Sequence, residues 1–235
     1  MKILAIETSS SVGSVALCED DVTILERSFE RGMEHGRSLV PHLDSLLNET
    51  GCAVEDLALL AVSQGPGSYT GLRVGITCAR TMAIFSDLPL VGVPSLDVLA
   101  ENAPPEFVNA CAIVDAKRGQ LYAAFYSREQ GGRLVRVGAL HVMKPQEVLS
   151  RIVRPAFVLG DGLKVFSDVF QAEGLTCGEA VTWRPRAACV GRLGWRVFRE
   201  RGAGPPLEVA PLYLRRPEAD EKWEARMQTR EQGMG

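Results

Sequence analysis

The chain has 235 residues, 46% of them hydrophobic and 23% charged, enough apolar content for one large or two small cores. A net charge of −3 gives no drive toward nucleic acid or anionic membrane, and the six cysteines, Cys18, Cys52, Cys78, Cys111, Cys177 and Cys189, hold no Cys-x-x-Cys pair, so they read as small reduced residues. The apolar run within Met1 to Glu7 is too short for a signal peptide and no stretch reaches the length of a membrane span, so a cytoplasmic soluble protein is expected.

Ile3 to Glu7 reads as a strand, followed by a polar turn from Thr8 to Gly13 and a second strand over Ser14 to Cys18. The acidic turn Glu19-Asp20-Asp21 leads to a third strand near Val22 to Phe29, which makes the opening an antiparallel meander. Leu39, Val40, Leu43, Leu46 and Leu47 follow helical spacing up to Gly51. Pro41 belongs in a first turn, which sets the helix start near Ser38. Leu57 to Val62 is an apolar run of buried-strand type.

A glycine-dense turn follows: Gln64, Gly65, Pro66, Gly67, Ser68, Tyr69, Thr70, Gly71. It has no lysine for a Walker loop, its glycines stand one residue too far apart for a dinucleotide fingerprint, and Ser68 is misplaced for a nucleophile elbow. Ser68 or Thr70 can cap the helix expected from Thr70 to about Ser86. In that helix Gly71, Gly75, Ala79 and Ala83 recur every four residues and form a stripe of small side chains. Helical glycine costs roughly 1 kcal/mol relative to alanine, so the stripe implies the close approach of another backbone, either the chain's own sheet or a partner helix. A strand at Leu90 to Val93 and a short helix from Ser95 to about Asn102 complete a β-β-β-α-β-α-β-α order.

Ala103-Pro104-Pro105 marks a boundary between a first unit, 1–103, and a second, 104–215. The opening pattern then recurs, with Ala110 to Asp115 a strand closing on an acid, Ala116 to Gly119 a turn, and Leu121 to Tyr126 a second strand. Glu7 and Asp115 are therefore equivalent strand-end carboxylates, which either hold the metal and phosphates of a nucleotide between two lobes or are commonplace strand ends. Further on come a strand at Leu134 to Val142, a short helix at Pro145 to Ile152, a strand at Phe157 to Leu159, the turn Gly160-Asp161-Gly162 and a helix over Leu163 to Phe170. Ala187 to Arg201 reads as a helix carrying Arg192, Arg196 and Arg199 on one face, either solvated or touching phosphate. Residues 216–235 read as a charged, frayed tail with Trp223 as its one anchor. His35 reads as an ordinary surface residue, or as a cap or partner contact. With His42 it would lie about 10 Å apart along a helix, too far to share a metal, so no metal site is expected.

The stretches ILAIETSSSVGSVAL, His35 with SLVPHLDSLL, AVSQGPGSYTGLRVGITCARTMA, PLVGVPSLDVLA and IVDAKRGQLYAAFY together resemble the TsaB (YeaZ) family, non-catalytic partner subunits in bacterial synthesis of threonylcarbamoyladenosine in transfer RNA. The resemblance is close from Lys2 to Tyr126 and looser through Gly160-Asp161-Gly162 to Tyr213-Leu214-Arg215. It implies an α/β, two-lobed actin/hexokinase-like (ASKHA) fold of duplicated ribonuclease H-like units, the second degenerate. It also implies a heterodimer with the catalytic homologue TsaD, together with the ATPase TsaE, acting on an adenylate made by TsaC. Transfer RNA is then met only as part of the complex, and the isolated chain carries no cofactor; ATP or ADP at the subunit junction stays open.

The same resemblance looks for the partner surface on the two first-unit helices, around His35, Leu39, Leu43, Leu46, Gly71, Arg73, Gly75, Ile76, Ala79 and Ala83, with a homodimer through them when the partner is absent. It leaves Glu7, Thr8, Ser9 and Asp115 as a degenerate nucleotide cleft without catalytic residues. The His-x-x-x-His metal pair of TsaD reads here as Ser95 and Leu99, neither an imidazole ligand. Where the family pattern follows His35 with Ser-Glu, this chain has Gly36-Arg37. Two rival functions are a phosphotransferase of the same fold, whose phosphate turns would need more glycine than Thr8 to Val12 and Ala116 to Arg118 hold, and a metallopeptidase, for which the ligands are missing.

Overall fold

The computed structural model describes residues 1–30 and 35–215, and the side chains of all of these except 35–37. The expectations for the His35 side chain, and for 216–235 with Trp223, lie outside the described residues.

The first unit runs β1 (Lys2–Glu7), β2 (Val12–Glu19), β3 (Val22–Glu30), α1 (His35–Thr50), β4 (Leu57–Gly65), α2 (Tyr69–Phe85), β5 (Leu90–Pro94) and α3 (Ser95–Ala100). β1 pairs antiparallel with β2, and β2 with β3, while β4 and β5 lie parallel to β1, giving the order β3-β2-β1-β4-β5. Tight polar turns suffice for the antiparallel pairs; the parallel ones need crossovers, which α1 and α2 supply.

The second unit runs β6 (Asn109–Asp115), β7 (Leu121–Arg128), β8 (Leu134–Met143), α4 (Pro145–Arg151), β9 (Ala156–Leu159), α5 (Leu163–Phe166), β10 (Leu175–Cys177) and α6 (Ala187–Arg201). Its sheet order, β10-β9-β6-β7-β8, is that of the first read from the other edge. The duplication is therefore complete at the level of strands, and the chain has the two-lobed actin/hexokinase-like fold. The three-residue β10 is an element the sequence pattern did not announce, and the helix expected over Leu163 to Phe170 is half α5 and half a 3-10 turn, Ser167–Phe170.

Two other boundaries shift for physical reasons. α1 begins at His35, so Pro41 sits inside the helix and not in its first turn. Pro41 has no N–H to give, and one turn back the Ser38 carbonyl lies 2.7 Å from His42 Nδ1, which must donate, since a carbonyl only accepts. The break at 103/104 separates the two sheets but not the layers. β1, β2 and β4 are apolar on both faces, and α6 returns from the second unit to cover the face holding Ile3, Ala5, Ala16 and Ala61 with Ala187, Ala188, Cys189 and Val190. The face holding Leu4, Ile6, Val15 and Val62 is covered by α1 and α2. α3 packs Leu96 and Leu99 against Ala110, Ala112 and Ala124 of the second sheet, so it lies between the two sheets. The arginine face of α6 is neither solvated throughout nor left for phosphate: Arg192 and Arg196 reach Glu101 at 3.6 and 3.5 Å, and Arg199 lies over the Trp195 ring.

Candidate functional site: an interlobe cleft and an apolar helix groove

The glycine turn closes on the loop that follows β1. Ser68 caps α2, its hydroxyl accepting from Gly71 N at 3.3 Å. Ser68 N donates to the Ser9 carbonyl at 2.8 Å, and a Cβ at position 67 would overlap that same carbonyl, which is why glycine stands there. Gly65 N donates to Ser95 Oγ at 3.0 Å. The Gly65, Ser68 and Gly71 N–H groups of the turn are thus held within the chain.

Between the lobes lies a cleft of about 420 Å³, lined among others by Ser9, Gly67, Ser68, Ser95, Asp115 and Asp161. Ser9 and Asp115 stand where the duplication puts them. Glu7 and Thr8 do not line the cleft. Glu7 is wholly buried beneath the loop, where Ser9 N and Ser9 Oγ donate to its Oε1 at 2.5 and 2.6 Å. The second lobe repeats the arrangement: Lys117 N and Nζ donate to Asp115 at 2.8 and 2.7 Å, and Asp115 N donates to Asp161 Oδ1 at 3.1 Å. The Asp115 carboxylate raises the Lys117 pKa, while burial lifts the Asp161 carboxyl above its ordinary range. Ser95 and Leu99, at the two positions that would carry metal histidines, both line the cleft. Asp161, Tyr122 and Trp183 also line it, and spacing alone did not single them out as site residues; the turn Gly160-Asp161-Gly162 after an apolar strand was the available signal.

The small-residue stripe of α2 faces inward. Gly71, Gly75, Ala79 and Ala83 are all buried, and a Cβ at Gly75 would overlap Thr8 Oγ1. The close approach implied by the stripe is made at Gly75 by Thr8, in the loop that follows β1 of the same chain, and the stripe is not an outward face. Leu39, Leu43, Leu46 and Ile76 likewise pack into the first core, with Leu39 and Leu43 also forming the floor of a groove between the two helices.

The outward apolar row stands one residue earlier on α2. Val74, Cys78 and Met82, spaced by four, form one wall, and Val40 and Leu47 of α1 the other, around a groove of about 740 Å³. Val40 is 59% exposed and Phe85, at the end of α2, 86%. Thr77 and Thr81 sit on the rim with Asp44 and Arg73. Burial holds the Cys78 thiol above its ordinary pKa. Arg73 lies over the Tyr69 ring, 4.0 Å from its centroid, and its Nε donates to Tyr213 OH at 3.1 Å. That last contact belongs to a returning strap, in which Leu212 N donates to the Gln64 carbonyl at 2.6 Å and Arg80 reaches the Leu207 carbonyl at 2.6 Å. Among the described residues no group of three or more His, Cys, Asp or Glu side chains gathers as a metal site, and no helix is long and apolar enough to cross a membrane.

A family model described as TsaD, tRNA N6-adenosine threonylcarbamoyltransferase, matches residues 30–223. The chain is 35% identical over 229 residues to the tRNA threonylcarbamoyladenosine biosynthesis protein TsaB of Bacillus subtilis, covering 95% of this chain and 98% of that one. It is 30% identical to TsaB of Escherichia coli, with 92% and 95% covered. The solved structure of YeaZ from Pseudomonas aeruginosa superposes with a TM-score of 0.79 at 24% identity, covering 91% of this chain and 99% of that one.

Proposed function

Because the chain belongs to the TsaB family of tRNA threonylcarbamoyladenosine biosynthesis proteins, we propose that it is the non-catalytic partner of TsaD in threonylcarbamoyl transfer to an adenosine of transfer RNA. The observation that carries this reading is the groove between α1 and α2. Its walls are Val40, Leu47, Val74, Cys78 and Met82, side chains that gain by leaving water at roughly 25 cal/mol per Å² of apolar surface. Apolar clusters of this kind on a soluble surface mark contact sites, and the occupant committed to here is a helix pair of the catalytic homologue.

The cleft supports the same division of labour. With Ser9 N, Ser68 N, Gly65 N and Lys117 N all donating within the chain, a nucleotide's phosphates could reach these four donors only by displacing existing hydrogen bonds. Each such exchange forgoes about 1 kcal/mol. The isolated chain is accordingly read as binding no nucleotide in its own cleft. TsaE, and transfer RNA itself, would then be met only in the assembled complex.

The test is reconstitution with the TsaD of the same organism, with threonylcarbamoyl adenylate as donor and TsaE and ATP present throughout: threonylcarbamoyl transfer to transfer RNA measured with each protein alone and with both. The expected result is transfer only with both. Transfer by this chain alone would overturn the reading, as would full transfer by TsaD without it.

A further inference from the structure

The second sheet is covered less completely than the first. α1 has 16 residues, about 24 Å of helix, whereas α4, which follows the third strand of its own unit as α1 does, has 7, about 10 Å. β8 beneath it has 10 residues and reaches roughly 33 Å. α4 sets Val148 into the core with Cys111 and Ala123, and Ile152 follows it there just past the helix end. Past its last residue, Arg151, the end of the sheet stays open.

The opening is a cavity of about 440 Å³, at the end of β6 marked by Asn109, whereas Asp115 at the other end of β6 lines the interlobe cleft. The β7–β8 register shifts between Ala123 and Phe125, and Gly138 takes a φ of +81°, the signature of a bulge that bends the edge strand at this point. Phe125, Val137, Ile152 and Ala156 give the cavity apolar walls, and His141 stands 6.2 Å from the Phe125 ring, centroid to centroid. Arg151 lines the mouth. It makes no ion pair or hydrogen bond among the described residues, and no aspartate or glutamate lines the cavity.

An apolar cavity of several hundred Å³ with one or two convergent polar groups is the usual form of a small-molecule site. A guanidinium with no carboxylate of its own, beside an aliphatic and aromatic wall, matches a planar anion joined to an apolar body. We infer that this cavity binds a small monocarboxylate with an aliphatic or aromatic body, the carboxylate on Arg151 and the body against Phe125 and Ile152. Inorganic phosphate has no body to occupy the apolar part. The site lies outside both the cleft and the groove, so it stands or falls independently of the partnership with TsaD.

Isothermal titration of the full chain with octanoate, and with octanamide as its uncharged counterpart, tests the assignment. Saturable one-to-one binding of octanoate is expected, with octanamide about tenfold weaker and octanoate to Arg151→Glu weaker by at least about tenfold, the loss of a charge-assisted pair. Arg151 is exposed, so the thermal midpoint of that variant should match the wild type. Equal octanoate binding by wild type and Arg151→Glu would overturn the assignment, and so would the absence of saturable binding to the wild type.

Discussion

The two five-stranded sheets share one strand order, yet they carry different helices. The first bears α1 and α2, of 16 and 17 residues, side by side on one face; the second bears α4 and α5, of 7 and 4. A long helix has surface to spare: the inner rows of α1 and α2 fill the core with Leu39, Leu46, Ile76 and Ala79, and the adjacent outer rows still leave an apolar groove. A short helix has none, and α4 spends its apolar residues on the core alone. Duplication thus fixed the frame, and helix length decided which lobe keeps an apolar groove between two helices.

This contrast breaks most sharply at a tight contact of the first lobe. Gly75→Leu would force a side chain into Thr8 and part α2 from the loop after β1, an overpacking cost of about 3 kcal/mol, read as a lowered denaturant midpoint. Gly131→Ala, in a second-lobe turn where a Cβ meets nothing within 4 Å, should stay within about 0.5 kcal/mol of wild type. Equal effects would show that α2 is not seated against Thr8 as described.

The joint between the lobes comes next in size. Tyr126 OH donates to Asp97 at 2.9 Å and Arg136 pairs with the same oxygen at 3.2 Å, linking α3 to β7 and β8. Burial raises the Asp97 pKa, so the carboxylate leans on its partners. Arg136→Ala should cost about 2 kcal/mol at neutral pH, less than for a fully buried pair because both side chains keep some contact with water. An unchanged unfolding midpoint would remove this contact from the joint.

A cysteine in each lobe sharpens the comparison further. Cys78 lines the groove and Cys177 is exposed on the second lobe. TsaD should slow alkylation of Cys78 and leave Cys177 at its own rate; slowing of both, or of Cys177 alone, would move the interface.

The smallest effect concerns Asp161. Burial holds its carboxyl above the ordinary 3.8, so the folded chain keeps a proton that the unfolded chain has released. The stability this contributes is complete below 3.8 and is lost as pH rises through the folded value. Asp161→Asn keeps an acceptor for Asp115 N and has no such loss, so its stability relative to wild type should rise from acid toward neutral pH. A pH-independent difference would mean that Asp161 is not desolvated in the folded chain.

Much of the frame was legible in the sequence because strands of alternating or continuous apolar residues, closed by turn residues such as Asp20 or Gly119, announce themselves locally. The strand-end acids and the Ser68 cap were legible for the same reason. What the sequence concealed depends on which side of a helix meets the sheet. The rows Gly71-Gly75-Ala79-Ala83 and Val74-Cys78-Met82 differ by one residue in register, and the first drew notice for its small side chains while the second was the outward one. Glu7 looked like a ligand until the structure showed Ser9 folded over it. The return of α6 to the first sheet is a long-range event; its only local hint was the run of small residues from Ala187 to Gly191.

The decisive measurement is a calorimetric titration of TsaD into wild type and into Val40→Glu, a change at a residue already 59% exposed and therefore harmless to folding. Partnership through the groove predicts saturable one-to-one binding by the wild type and roughly 30-fold weaker binding by the variant, the usual effect of a charge at an interface hot spot, with thermal midpoints alike. Undiminished binding by Val40→Glu, or no binding by the wild type, would contradict it.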